Sequence, residues 1–271
     1  LVDWAFKERS FKPWEAYYEE VTDWARSTEE PYFLWIFLME PHTPYFVPRE
    51  YRSENSWLDM MRSNWELQSS PYEVDEPYDT HDELVSAYDD TVRYADAFVE
   101  AIRRDLSDTD PVLLVHSDHG EGFLEHDSYY HTRYLYQENL HVPFLVDNAG
   151  VQREVTEPVS LRSVPAIVRA IARGDDLSAF VDEHVTSEYV VSRTRQGKRL
   201  AVQNEGWKVI VNADRMELYD LRTDPGEQEN LVPTDAAGVE QFLPVLDRFL
   251  DDEDEREAVA RNARVLAEER V

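Results

Sequence analysis

The chain has no cysteine. No disulfide can form within it, and no thiol is available as a nucleophile or metal ligand. Lysine is scarce: only four of the 27 basic residues, Lys7, Lys12, Lys198 and Lys208, are lysine, and the rest are arginine. These cations face 57 acidic residues, for a net charge of −30. With no basic stripe to neutralise phosphates, nucleic acid is excluded as an expected partner. Long apolar runs are missing too. The best candidate, Tyr32–Met39, falls far short of the ~20 residues that cross a bilayer, so no membrane span is expected.

What is present describes a folded protein. Hydrophobic residues make up 42% of the chain and aromatics 12%, too much for wholesale disorder. At 271 residues the chain can bury a sizeable core, as one large α/β domain or as a domain plus a small appendage. An acidic surface made to recruit a basic partner would concentrate its acids in blocks. Apart from Asp251-Asp252-Glu253-Asp254-Glu255, the acids are instead dispersed. Dispersed acid with little lysine suits high salt, where self-repulsion is screened and hydrated carboxylates keep the protein soluble. The expected setting is the cytoplasm of a halophilic archaeon.

Periodicity divides the chain. Trp14, Tyr17, Val21 and Trp24 recur at helical spacing after Pro13, and Tyr32–Met39 reads as a central strand. Residues 41–79 read as an extended loop region with short helical pieces. His81 to Leu106 forms a long helix whose expected buried face is Leu84, Tyr88, Val92, Ala95, Val99, Ile102 and Leu106. Asp96 lies on its polar face. Strands Val112–His116 and Val142–Val146 follow, then a helix ending at Gly174, a suitable residue just past a helix end. This alternation predicts an α/β fold built on a doubly wound, mostly parallel sheet flanked by helices. Beyond residue 180 come closely spaced strands at Val185–Ser192, Arg199–Gln203, Trp207–Asn212 and Met216–Tyr219. They predict a small antiparallel sheet, followed by helices at Leu243–Leu250 and Glu255–Arg270. The expected domains are 1–180 and 181–271.

The most informative stretch is Pro111–Asp127. Its apolar run breaks at once into Asp118 and His119, with Gly120 able to take backbone angles that other residues avoid. Open α/β sheets place their chemistry just past the carboxyl ends of strands. A carboxylate beside an imidazole can hold a divalent cation there, or the pair can face water on a plain surface turn.

Four segments, in order, carry a resemblance. Ser117-Asp118-His119-Gly120-Glu121-Gly122 with Glu125-His126 resembles the Ser-Asp-His-Gly-Glu segment of the sulfatase family, within the alkaline-phosphatase superfamily. Glu40-Pro41-His42-Thr43-Pro44-Tyr45 is similar to that family's Pro-His-x-Pro-Tyr segment. His131 through His141-Val142-Pro143-Phe144 resembles the stretch between the metal motif and the next strand, and Glu217–Leu231 resembles the Leu-Tyr-Asp-Leu…Asp-Pro-x-Glu…Asn-Leu signature. The resemblance implies a sulfuric ester hydrolase acting on a small-molecule or glycan sulfate ester. It also implies one divalent metal, calcium first and magnesium or manganese as alternatives, held in part by Asp118 and His119. His42, stiffened by flanking prolines, and His131 would face the sulfate ester, stabilising charge or protonating the leaving alcohol. His126 and His141 would support or pack around the metal loop. Arg133 reads as an ordinary partner for surface acids.

Part of the family pattern is missing. The formylglycine nucleophile comes from a Cys/Ser-x-Pro-x-Arg motif, and the nearest match, Ser163-Val164-Pro165-Ala166-Ile167, lacks the arginine and stands in the wrong place. Asp3 has no second acid beside it to form the remaining acidic pair. The expected reading is therefore the C-terminal portion of a longer enzyme, inactive by itself. Two alternatives stand beside it. One is a phosphodiesterase, phosphonate hydrolase or phosphoethanolamine-type transferase of the same superfamily; the other is a non-catalytic binding relative. The Leu-Tyr-Asp-Leu tail favours the sulfatase.

Overall fold

A computed structural model describes residues 13–29, 31–131, 134–194, 199–212, 215–235 and 237–249. Asp3, Arg133 and the helix expected over Glu255–Arg270 lie outside them. By contacts the chain forms two compact units. The first comprises Leu1–Ser117, Glu121–Tyr130 and Pro143–Ala149; the second comprises Asp118–Gly120, His131–Val142 and Gly150–Val271. The division expected near residue 180, which concerns whole domains, falls inside a helix of the second unit.

Among its described residues the first unit holds three α-helices: α1 (Glu15–Ser27), α2 (Trp57–Ser69) and α3 (His81–Asp105). The core stripe of α3 is Leu84, Ala87, Thr91, Tyr94, Phe98, Ala101 and Ile102. That face is rotated from the expected one, and Val92 is exposed. Aromatic area decides the rotation. Tyr94 and Phe98 both meet the Trp14 ring, at centroid distances of 5.9 and 5.7 Å, and burying a side chain of this size is worth roughly 1.5–3 kcal/mol. The polar residues this brings inward are only partly satisfied, because Asp90 Oδ2 accepts no hydrogen bond from the described residues. The Thr91 hydroxyl donates to the Tyr88 carbonyl, and Asp90 accepts from the Ser53 amide at 3.0 Å. Asp96 is exposed, on the polar face.

Helix α2 replaces much of the loop expected over 41–79. Ser56 and Asp59 form a reciprocal capping box that satisfies two free amides at its start, and Met60, Ser63, Asn64 and Leu67 face the core.

The strand expected at Tyr32–Met39 makes no ladder with the other described residues. Its alternation is visible even so: Tyr32, Ile36 and Leu38 pack on the core, while Phe33, Trp35 and Phe37 are 65%, 66% and 60% exposed. Strands β1 (Leu113–His116) and β2 (Phe144–Asp147) do pair, but antiparallel, with Val115 opposite Leu145. This antiparallel pair stands within a fold class expected to be mostly parallel. A parallel pair needs a long crossover, usually a helix, and among the described residues between them the only helix spans four residues.

The second unit holds that short helix, α4 (Gln137–Leu140), then α5 (Val164–Arg173) and α6 (Leu177–His184). Helix α5 ends at Gly174, whose φ of 70° is left-handed as expected. An antiparallel sheet follows in the order β3 (Val190–Arg193), β4 (Arg199–Gln203), β5 (Trp207–Asn212) and β6 (Met216–Asp220). Both faces are covered. Leu200, Val202, Val209 and Leu218 pack under Val239, Phe242 and Leu246, from α7 (Ala237–Glu240) and the helical run 243–249. Ala201, Ile210 and Tyr219 pack on the other side against Leu135, Tyr136 and Leu140. The sheet is thus a floor beneath the segment 134–140.

Candidate functional site

Asp118, His119 and Gly120 follow β1 directly. The Gly120 amide donates to the Asn139 carbonyl of α4 at 2.9 Å. A Cβ on Gly120 would lie 2.0 Å from the Glu138 carbonyl oxygen. Glycine is required here by close approach of two backbones, rather than by the unusual backbone angles the sequence suggested.

The ring of His119 is oriented by its own loop. Nδ1 lies 2.7 Å from the Gly120 carbonyl and donates to it, which assigns the lone pair to Nε2. That Nε2 stands 3.8 Å from Asp118 Oδ1. Ligand distances of about 2.0–2.1 Å from nitrogen and 2.3–2.6 Å from oxygen let two donors so spaced close on one cation. The donor set, one imidazole and one carboxylate, fits a divalent metal. It is also only two donors. Among the described residues no group of three or more His, Cys, Asp or Glu side chains is arranged to hold a metal ion. Asp118 is 61% exposed along its side chain and His119 37%, so the pair can be reached.

His131 belongs to the same unit, its ring stacked on that of His119 at 3.7 Å and 23°. The structure therefore brings together Asp118, His119 and His131. His141 does not pack as expected: its side chain is exposed, and only its backbone amide takes part, donating to the Gln137 carbonyl at 2.8 Å. His126 is half-buried in the first unit.

His42 also lies in the first unit. Its Nδ1 donates to the Thr43 carbonyl at 2.7 Å, and its amide donates to Met39 at 3.2 Å. The loop that carries it is held by residues the sequence did not single out. Asn64 brackets Tyr45, accepting from its amide at 2.6 Å and donating to its carbonyl at 3.0 Å, much as a neighbouring strand would. The buried Tyr45 hydroxyl donates to Glu121 at 2.8 Å, and burial together with that carboxylate pushes the phenol well above its usual range. Glu121 therefore serves as an anchor for the histidine-bearing loop. An asparagine on a loop-like stretch gives no sequence signal for such a role.

Residues 8–172, more than half the chain, match the family described as Sulfatase. This chain belongs to the sulfatase family. Its fold is shared with a Bacteroides fragilis protein assigned as a sulfatase, with a TM-score of 0.65 and 18% identity over 86% of this chain and 56% of that one. It is shared equally with a phosphonate monoester hydrolase of Agrobacterium radiobacter, with a TM-score of 0.63 and 17% identity over 88% and 59%. A Bacteroides thetaiotaomicron protein described in connection with the metabolism of multiple glycosaminoglycans is similar at 0.58 and 17%, over 85% and 53%. The sulfatase chain spans somewhat over half the length of these structures. No curated protein matches it. The α/β class expected from the sequence is that of this family. No helix among the described residues is long and apolar enough to cross a membrane.

Proposed function

We propose that this sulfatase chain is the C-terminal part of a metal-dependent sulfuric ester hydrolase, acting in a high-salt cytoplasm on a small-molecule or glycan sulfate ester. The observation that carries the reading is the Asp118–His119 pair. Its Oδ1 and Nε2 stand 3.8 Å apart with the far ring nitrogen pinned to the Gly120 carbonyl. A divalent ion, calcium before magnesium or manganese, would polarise the sulfate oxygens when bound. Asp118 and His119 would give it two ligands, and the other ligands and the formylglycine nucleophile would come from the preceding polypeptide. His131, face to face with His119, and His42, aimed by Pro41 and Pro44, are proposed to stabilise the sulfate's negative charge and to deliver a proton to the departing alcohol. Residues 1–180 would form part of the catalytic domain and 181–271 its appendage.

The likeness to a phosphonate monoester hydrolase supports a second reading, in which the same pair serves a phosphonate or phosphodiester. The comparison to make is kcat/KM for an aryl sulfate against an aryl phosphonate, using the whole enzyme that contains this chain. A preference for the sulfate, abolished by chelation and by Asp118→Ala, is expected. Equal or better turnover of the phosphonate would transfer the assignment to the second reading. The chain 1–271 alone is expected to hydrolyse neither.

A further inference from the structure

A second constellation lies behind the loop, buried in the same unit. Lys208 and Glu227 both have fully buried side chains, and Nζ approaches Oε1 to 2.7 Å. Taking two charges out of water is costly, and a well-packed apolar pair would commonly serve stability as well or better. Stability alone therefore does not account for the pair. Lysine is also the scarce cation of this chain, one of four among 27, and here it sits fully enclosed.

The geometry beyond the pair gives it a task. The other carboxylate oxygen of Glu227, Oε2, accepts the Gln137 amide at 2.6 Å, at the first residue of α4. One residue earlier, the Tyr136 hydroxyl donates to Glu217 at 2.9 Å, and Glu217 also accepts from Tyr219 at 3.0 Å. Lys208 and Tyr219 are register partners on β5 and β6. Residues 136 and 137 are thus held by two buried carboxylates, Glu217 on β6 and Glu227 in the segment after it. Two residues past Gln137, the Asn139 carbonyl receives the Gly120 amide, and the Glu138 carbonyl oxygen lies 2.0 Å from where a Gly120 Cβ would be. No side chain intervenes between α4 and the loop, so a shift of α4 is a shift of Gly120.

We propose that the buried Lys208–Glu227 pair is a positioning clamp for the Asp118–His119 loop, acting through the Gln137 amide and the α4 carbonyls. It resides in the Asp224-Pro225-Gly226-Glu227 segment and β5, far from the loop in sequence. Its value for metal binding rests on the proposed role of Asp118 and His119, but the mechanical link does not.

The test is amide hydrogen exchange on the full protein, paired with calcium titration. Lys208→Met/Glu227→Leu replaces the pair by apolar residues. Gln137→Pro removes the donated N–H and sets a ring methylene against Glu227 Oε2, at a first helical position where proline is otherwise tolerated and after a residue, Tyr136, already extended. Both variants are expected to speed exchange in 118–121 and 137–141 by about fivefold to tenfold, the loss of one hydrogen bond, with β4–β6 unchanged. Calcium affinity should weaken by a similar factor. Lys208→Met/Glu227→Gln keeps an acceptor for Gln137 without leaving a buried charge unpaired, and should restore near-native protection of 118–121. Native protection of 118–121 in Gln137→Pro, or equal loosening in Lys208→Met/Glu227→Gln, would overturn the clamp. If exchange responds as expected but Asp118→Asn leaves calcium affinity unchanged, the metal assignment fails and the clamp stands.

Discussion

Two single residues fix the loops that carry the candidate chemistry, and both can be challenged directly. Gly120→Ala drives a methyl group into the Glu138 carbonyl, 2.0 Å from the built Cβ position. Backbone cannot rotate away as a side-chain tip can, so overpacking of about 1–3 kcal/mol is expected. Chemical denaturation should show that loss, together with weaker calcium binding. Tyr45→Phe removes the hydroxyl that meets Glu121. A hydrogen bond to a charged partner is worth about 1.5–3 kcal/mol, and the same measurement should find a loss in that range. Asp118 and His119 were legible in the sequence because the strand, the break and the family segment coincide there. Asn64 and Lys208 were not legible. Each acts on a partner far away in sequence, and a polar residue shows no periodicity when its role is to meet a backbone amide or a buried carboxylate.

At the scale of elements, α1 is tied to α3 by charge as well as by aromatic packing. Arg104 and the Tyr18 hydroxyl both bond to Asp105, Arg104 first in effect, and hold its carboxyl down at about 2 from an ordinary 3.8. A carboxyl depressed in the folded state adds stability that is present above its unfolded value and is lost as pH falls through its folded one. Asp105→Asn should therefore be less stable than the parent above pH 4 or so, with the gap closing between about pH 4 and pH 2. A gap that widened on acidification would contradict the assignment. The helices and C-terminal strands were readable from periodicity, and α2 had its signal in Ser56-x-x-Asp59. The rotation of α3 was not readable, because Thr91 and Asp90 look like surface residues until their partners Tyr88 and Ser53 are seen. Nor was the antiparallel pairing of β1 with β2. Apolar runs announce burial, whereas strand direction depends on how the chain returns.

For the whole molecule, two properties dominate: its charge and its membership of the sulfatase family. A net charge of −30 is screened over about 10 Å at 0.1 M salt and about 3 Å at 1 M. The proposed high-salt setting predicts a melting midpoint that climbs steadily as KCl rises from low to molar concentration. A midpoint indifferent to salt would remove the physical ground for that setting. The catalytic proposal has one decisive measurement: aryl sulfate turnover by the whole enzyme, followed during calcium removal and replacement, in the parent and in Asp118→Ala. The account predicts calcium-restored sulfate hydrolysis in the parent and a loss of at least about a hundredfold in the variant, the scale on which metal-assisted steps fail without their ion. Undiminished hydrolysis by Asp118→Ala, or full activity after chelation, would contradict it.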